Sequence, residues 1–251
     1  MTQDNNSSFL LEIGTEDLPA RFISPALQQL KDNTIKILLE NSIQCSGVRV
    51  YGTPRRLALI ADGIPQKQED RTREVFGPSK KAAFDAQGGP TRAASGFAQS
   101  QGVSVESLVI RKKDKGVYVV AVIEEKGLHV REVLPEIFKK IVLSIHLPKA
   151  MKWGEGSLRF VRPIRWFLAL FNTDVINFEI EGIKSSNLTR GHRFLSPAAF
   201  QIKEIPSYRK LLINNYVIVD IEERKKLITE KKTEFNNVSW QNSGGRNDSC
   251  R

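Results

Sequence analysis

The sequence predicts an α+β protein whose central part is a ferredoxin-like split βαβ unit. Two segments, 21–40 and 130–145, carry apolar residues at the 3.6-residue spacing of amphipathic helices. Short apolar runs typical of buried strands lie before and after both segments. With one insertion set aside, the predicted order is strand, helix, strand, strand, helix, strand, and this order favours the split βαβ unit.

Strands are predicted on both sides of the first helix. The first is the apolar run at 9–13, which ends at Gly14 and is followed by the helix-start residues of the TEDLP segment. The second is the segment 48–64, where apolar residues recur and where Gly52 and Pro54 predict a bulge or bend within one strand.

The remaining elements divide the chain into four parts. A change to mixed charge at 67–116 predicts a small helical insertion in a core domain of residues 1–66 and 117–183, whose later strands are 117–123, 160–171 and 175–183. Residues 184–235 are predicted to form a smaller β-rich segment that ends in a charged helix opening at Asp220. Residues 236–251, rich in Asn, Ser and Gly, predict a disordered tail.

The composition favours an anionic partner. The 38 Lys and Arg residues exceed the 28 Asp and Glu residues, so the formal charge is +10, which suits nucleic acid or an anionic surface. Cys45 and Cys250 are far apart in sequence and predict neither a disulfide framework nor a zinc site. A polar N-terminus and the lack of a long apolar run in the sequence predict a cytoplasmic protein that does not enter a membrane.

The sequence patterns of common catalytic sites do not occur in the chain. It contains no GxxxxGK[ST], GxGxxG, HExxH or GxSxG motif, so we expect no catalytic residue, no metal site and no bound cofactor. Glu12, Glu16 and Asp17 form a carboxylate group at the first strand that could bind a metal or a basic partner. Helix capping is the simpler explanation for at least one of them.

Basic side chains beside aromatic ones form three clusters that are candidates for RNA binding. Guanidinium groups bind phosphate in a bidentate manner, and aromatic rings stack on unpaired bases. The alternative is structural: Arg162 and Arg165 pair with carboxylates of the sheet, the tryptophans belong to the core, and the third cluster is a solvated turn. The candidate tRNA-binding residues are Arg55 and Arg56, then Lys152, Trp153, Arg159, Arg162 and Arg165, then Arg190, His192 and Arg193.

Seven sequence segments, taken in order, resemble the beta subunit of bacterial glycyl-tRNA synthetase. Each segment alone is a weak signal, whereas seven in order with family-like spacing are specific. The matching segments are FLLEIGTEDLP at 9–19, TPRRLAL at 53–59, GP at 77–78 with AFD at 83–85 and PTRAASGFA at 90–98, KAMKWG at 149–154, FVRP at 160–163, RGHRF at 190–194 and DIEERK at 220–225.

The resemblance implies a subunit of an alpha2beta2 enzyme that joins glycine to tRNA-Gly. In this family the alpha subunit holds the active site, where ATP and Mg are co-substrates, and the beta subunit contributes tRNA binding. The expected partners are therefore the alpha subunit and tRNA-Gly. No catalytic residue is carried over to this chain.

The sequence departs from the family in two ways that affect its expected function. Family beta subunits are far longer, so the chain resembles a truncated N-terminal fragment that lacks the HD-type domain and the anticodon-binding region. The resemblance is expected to end at about Phe235, with a divergent tail after it. The alternatives to tRNA binding are a module that docks on the alpha subunit and a nonfunctional truncated gene product.

Overall fold

The computed structural model describes residues 7–85, 87–113, 116–153, 156 and 158–243 of the chain. The chain forms two compact units: Met1–Gln66 with Val130–Arg251, and Lys67–His129. Helices and mainly antiparallel strands make up both units, so the general α+β class is confirmed.

The elements follow one another in chain order. The first unit opens with β1 (Ser7–Thr15), α1 (Ala20–Glu40), β2 (Gly47–Thr53) and β3 (Arg56–Ile64). The second unit contains β4 (Arg71–Ser79), α2 (Lys80–Ala83), α3 (Arg92–Gln101), β5 (Val109–Lys113) and β6 (Gly116–Glu125). The first unit then continues with α4 (Val130–Leu143), β7 (Met151–Lys152), β8 (Arg159–Phe160), β9 (Ile164–Phe171), β10 (Asp174–Val175), β11 (Glu179–Ile180), β12 (Ile183–Ser186), β13 (Leu188–Arg190), β14 (Ala199–Gln201), α5 (Tyr208–Asn214) and α6 (Ile221–Ser243).

The main sheet of the first unit has β1 near its centre. Strands β9, β1, β3 and β2 lie side by side in that order, and each neighbouring pair is antiparallel. On the far side of β9 the sheet continues through β12, which is parallel to β9, to β11, while β10 also pairs with β9. A strand with a partner on each side has its backbone polar groups satisfied, so β1 can be buried throughout.

Both faces of β1 are covered. Because side chains alternate along a strand, Phe9, Leu11 and Ile13 point to one face, where they share a core with the apolar sides of α1 and α4. Leu10 and Glu12 point to the opposite face, beneath a layer that includes Tyr208 and Leu212 of α5. The polar side chain of Glu12 therefore lies inside the molecule.

The segment 48–64 was wrongly predicted as one bulged strand. It is a hairpin, in which β2 and β3 pair from Gly47 opposite Asp62 to Thr53 opposite Arg56. Pro54 and Arg55 form the turn, because proline fixes a turn conformation and provides no backbone donor for a sheet. Both middle strands of the predicted order therefore lie before the insertion.

The insertion differs from the prediction in length and in content. It extends to His129 rather than ending at 116, and the apolar run 117–123 belongs to its strand β6 instead of the core domain. In this unit β6 pairs with both β4 and β5, and Ala83, Ala94 and Val119 form a small core. An apolar run alone does not reveal which sheet a strand joins, and this ambiguity explains the error.

The end of the described chain is helical. Helix α6 begins after Asp220, where the sequence predicted a helix start. Asp220 caps this helix, since its carboxylate accepts hydrogen bonds from the backbone N–H groups of Glu222 and Glu223. The helix runs to Ser243, so residues 236–243 are not the disordered segment that was predicted, while 244–251 lie outside the described residues. Residues 216–219, which belong to the segment predicted to be β-rich, do not form a strand. Among the described helices none is long and apolar enough to cross a membrane.

Candidate nucleic-acid interface

The carboxylate of Glu12 is the centre of a buried polar network. Trp166 Nε1 and Thr189 Oγ1 both donate to Glu12 Oε1, at 2.6 and 2.5 Å, and the hydroxyl of Tyr208 donates to Oε2. Arg56 Nη1 lies 3.6 Å from Oε2. A charge that is removed from water needs such partners, so this network joins β1, β3, β9, β13 and α5 through one side chain.

Arg56 is therefore buried inside the protein as part of this network. Only 2% of the residue is exposed, and its Nη2 donates to the carbonyl oxygen of Arg190 at 2.5 Å. Its side chain is covered by protein and does not face an external ligand, which corrects its inclusion among the RNA-binding candidates. The alternation along β3 sends Arg56 inward, while Arg55 belongs to the turn and lies near the surface.

Tyr208 gives the network a measurable pH dependence. Burial, reinforced by the Glu12 carboxylate, raises the pKa of Tyr208 well above its ordinary value of about 10. In the unfolded chain this hydroxyl loses its proton above about pH 10, whereas the folded protein keeps it. The stability contributed by Tyr208 is thus complete below pH 10 and decreases as the pH rises further.

We expect Tyr208→Phe to lower the free energy of unfolding by about 1–3 kcal/mol at neutral pH, because Glu12 loses a donor. The difference in the free energy of unfolding between the variant and the wild type becomes smaller above about pH 10. In that range the unfolded wild-type chain releases the tyrosine proton while the folded protein keeps it, so the wild-type protein loses stability. Urea titrations at neutral and alkaline pH measure both effects, with Tyr216→Phe at an exposed position as the control. A difference that stays constant with pH contradicts the prediction.

Five arginines gather at the surface near the end of β1, and we call them the arginine cluster: Arg55, Arg162, Arg165, Arg190 and Arg193. Two carboxylates, Glu16 and Asp17, lie among them. Arg193 Nη2 lies 2.5 Å from Asp17 Oδ2, and Arg165 Nε lies 3.3 Å from Glu16 Oε1. Arg165 thus pairs with a carboxylate, although Glu16 follows β1 and is not a residue of the sheet. The guanidinium groups outnumber the carboxylates, so the cluster remains positive.

The other members of the cluster are held by different contacts. Arg162 Nε donates to the backbone carbonyl of Asp17 at 3.0 Å, and the guanidinium of Arg190 lies 5.7 Å from the centre of the Trp166 ring. Arg55 Nε is 3.9 Å from Asp17 Oδ1. Partial burial, followed by repulsion from Arg193, lowers the pKa of Arg55, although an arginine remains charged at neutral pH.

A loop after β13 brings the third predicted segment to the same place. The backbone N–H of His192 donates to the carbonyl of Asn215, and Ser196 Oγ donates to Asn215 Oδ1 at 2.6 Å. Gly191 permits this approach, because a Cβ there would lie 2.8 Å from the carbonyl oxygen of Ser196. His192 Nδ1 accepts from the N–H groups of Phe194 and Leu195, so this histidine shapes the loop.

The hairpin of β7 and β8 carries the other three candidates. Lys152 and Arg159 are exposed, and Trp153 Nε1 donates to the carbonyl of Phe160 at 2.8 Å. Arg159 Nη2 donates to the carbonyl of Ala150. Among the described residues, the hydrogen bonds of Trp153 and Arg159 stay within this hairpin, so these candidates are not members of the arginine cluster.

The expected capping role of the acidic residues after β1 is wrong. Pro19 occupies the N-cap position of α1, and no side chain forms a capping hydrogen bond there. Glu16 and Asp17 instead pair with members of the arginine cluster. Among the residues that the structure describes, no group of three or more His, Cys, Asp and Glu side chains is placed to hold a metal ion.

Comparison with known proteins identifies the family. The model of the glycyl-tRNA synthetase beta subunit family matches residues 9–244. The chain belongs to this family. The match continues past Phe235, where the resemblance was expected to end, and it includes the whole of helix α6.

Curated relatives agree with the family match. The beta subunit of glycine–tRNA ligase from Thermodesulfovibrio yellowstonii is 45% identical over 238 residues, which are 93% of this chain and 35% of that protein. The corresponding protein from Moorella thermoacetica is 47% identical over 89% of this chain and 32% of its own length. That from Clostridioides difficile is 41% identical over 91% and 33%. The chain spans about a third of the length of these glycyl-tRNA synthetase beta subunits.

Three of the segments that resemble the family meet in space. The residues 9–19 provide Glu12, Glu16 and Asp17, the residues 53–59 provide the two arginines, and the residues 190–194 form the loop. Sequence reasoning missed the roles of Glu12, Thr189 and Tyr208, because they interact across more than 170 residues. The available signal was a single carboxylate inside an otherwise apolar strand, which demands buried partners.

Proposed function

We propose that this chain is a tRNA-binding, non-catalytic part of a heterotetrameric glycine–tRNA ligase and supports the ATP-dependent attachment of glycine to tRNA-Gly. The relatives are named as beta subunits of glycine–tRNA ligase, and such a name implies an alpha subunit as a partner. The observation that carries the tRNA-binding role is the arginine cluster, in which five guanidinium groups surround two carboxylates. Such a surface attracts a phosphate backbone.

The alpha subunit then carries out the chemistry of attaching glycine to tRNA-Gly. In this proposal the present chain binds no cofactor, and ATP and Mg are co-substrates of the whole enzyme. The proposed location is the cytoplasm. We also propose that the first unit is ferredoxin-like, a view supported by the antiparallel order β9, β1, β3, β2 and by helices α1 and α4 on one face.

The Arg162→Ala, Arg165→Ala double variant tests the tRNA-binding proposal. We expect weaker binding of tRNA-Gly at every salt concentration, because two cations near the phosphate backbone are lost. The slope of log K against log salt concentration decreases by about 1 for each phosphate contact removed. Filter binding or fluorescence anisotropy over a salt series, with and without the cognate alpha subunit, measures both quantities.

Arg49→Ala, Arg131→Ala is the control of equal charge, since it removes two positive charges from exposed side chains elsewhere on the same unit. Their partners Asp62 and Asp174 lie at the opposite end of β1, next to Ser8 and to the Phe171 that pairs with Phe9. Equal losses in both double variants would indicate only a general charge effect. Unchanged binding in a folded Arg162→Ala, Arg165→Ala protein would make these arginines structural.

A further inference from the structure

A pocket of about 410 Å³ lies beside the arginine cluster. It is formed by the turn between β2 and β3, the loop at 191–194, the residues after α5, and one arginine of α6. Its volume is within the usual range for a site that binds a small molecule or a single unit of a polymer. The lining residues include Arg55, Arg193, Phe194, Tyr216 and Arg224.

The charges that line this pocket favour an anion. Asp17 is the single carboxylate among the lining residues, which include four arginines. Arg56 is compensated by Glu12, and Arg224 binds the backbone carbonyls of Gly52 and Ile218. Arg55 and Arg193 share the carboxylate of Asp17, at 3.9 and 2.5 Å, so the lining arginines still outnumber the single carboxylate and favour a further anion.

Two aromatic side chains at the pocket are unusually exposed. Phe194 is 79% exposed and Tyr216 is 63% exposed, although burying an aromatic ring is strongly favourable. The bonds from His192 and Ser196 to Asn215 hold the loop of Phe194 next to the residue that precedes Tyr216. These two hydrogen bonds thus keep the two rings in the same neighbourhood, without packing them into the core.

The backbone at Tyr216 supplies an independent observation. Helix α5 ends in a Schellman motif, in which Tyr216 N–H donates to the carbonyl of Ile213 and Val217 N–H donates to that of Leu212. The residue at the position of Tyr216 must be left-handed, and its φ is +61°. Glycine or asparagine is the usual choice there, since a larger side chain strains this conformation. An aromatic residue at a strained, exposed position beside a pocket points to a ligand.

We propose that this pocket binds one unpaired nucleotide of an RNA strand, with the base against Phe194 and Tyr216 and the phosphate against the guanidinium groups of Arg55 and Arg193. This inference rests on the proposed tRNA-binding function and narrows the ligand to a single-stranded segment. A paired base stacks within its helix and hides its faces, whereas an unpaired base offers a face to aromatic side chains. The combination of exposed rings and guanidinium groups matches that chemistry.

Phe194 provides the test of stacking. A short single-stranded RNA that carries 2-aminopurine, and a blunt RNA hairpin of equal charge, serve as probes for binding to the full chain. We expect Phe194→Ala to weaken binding of the single strand about 10-fold, because stacking on one aromatic ring is lost. Binding of the hairpin and the salt slope stay unchanged, since no charge is removed. Phe194→Tyr retains affinity for the single strand, and Phe194→Leu loses it.

Tyr216→Gly provides a second test with opposite signs for stability and binding. Glycine adopts the left-handed conformation without strain, so the melting temperature is expected to increase by about 2–4 °C. Affinity for the single-stranded RNA decreases at the same time. If Tyr216 had only a structural role, the substitution would raise the melting temperature without weakening RNA binding.

The outcomes distinguish this inference from the proposed function. Equal binding by Phe194→Leu and wild type, or full binding by Tyr216→Gly, overturns the nucleotide pocket even when tRNA-Gly still binds with a salt dependence that requires Arg162 and Arg165. In that case the tRNA-binding proposal stands alone. Failure of the wild-type chain to bind any RNA, with or without the alpha subunit, overturns both.

Discussion

Replacing Glu12 by Gln lowers the free energy of unfolding by about 3–5 kcal/mol, because the guanidinium of Arg56 is then buried without a carboxylate. The glutamine amide also presents an N–H₂ group where one carboxylate oxygen now accepts a hydrogen bond. Chemical denaturation monitored by tryptophan fluorescence measures the loss. Trp166 reports directly, since its Nε1 donates to Glu12.

Two further variants distinguish the stability lost by leaving a buried charge unpaired from the stability lost by breaking an exposed ion pair. Arg49→Gln breaks the exposed pair with Asp62 and is expected to cost about 0–1 kcal/mol. Glu12→Leu combined with Arg56→Met removes both buried charges, so the double variant is expected to be less destabilised than the sum of the two single variants. Additive losses in that cycle, or a loss for Glu12→Gln no larger than that of Arg49→Gln, would contradict a buried charge network.

Replacing Gly14 by Ala is expected to lower the free energy of unfolding by about 3 kcal/mol or more, at the upper end of the cost of overpacking. Gly14 lies opposite Trp166 in the sheet, and an added Cβ would be 1.9 Å from Trp166 Cε2. The indole cannot move away freely, because its Nε1 is bonded to Glu12 and its ring packs near Arg56 and Arg190. Thermal or urea unfolding of the purified variant measures the effect.

Gly47→Ala is the matched control for this prediction. Gly47 opens β2 in the same sheet, and an added Cβ there meets nothing within 4 Å. We expect no loss of stability, or a gain of about 0.4–1 kcal/mol from a less flexible unfolded chain. If Gly14→Ala were as well tolerated as Gly47→Ala, the indole would not be fixed over Gly14 as described.

Local sequence patterns were sufficient to predict the helices, because a helix depends mainly on the residues within it. The apolar spacing that predicted the first two long helices corresponds to the buried sides of α1 and α4, including Leu27, Leu30, Leu134 and Phe138. The charge pattern that opens at Asp220 predicted the start of α6. The pattern at 48–64 was ambiguous, because a turn and a bulge both use glycine and proline, and only the strand register distinguishes them.

The sequence predicted which clusters of basic residues could form the candidate site, but not how these clusters are arranged in space. Arg55, Arg162, Arg165, Arg190 and Arg193 come together because β1, the turn after β2, and the segments around β9 and β13 end at one place. Adjacent residues in one segment have opposite roles: Arg56 is buried and Arg55 is near the surface.

The sequence by itself determined the α+β class, the main helices, the family and the excess of basic over acidic residues. These properties depend on periodicity, on composition and on ordered motifs, all of which are local in the chain. Only the tertiary structure decided that Glu12 binds Trp166, Thr189 and Tyr208, and that Phe194 and Tyr216 share one pocket. The physical reason is that hydrogen bonds and ion pairs act over a few ångströms, while these partners are separated by tens to hundreds of residues.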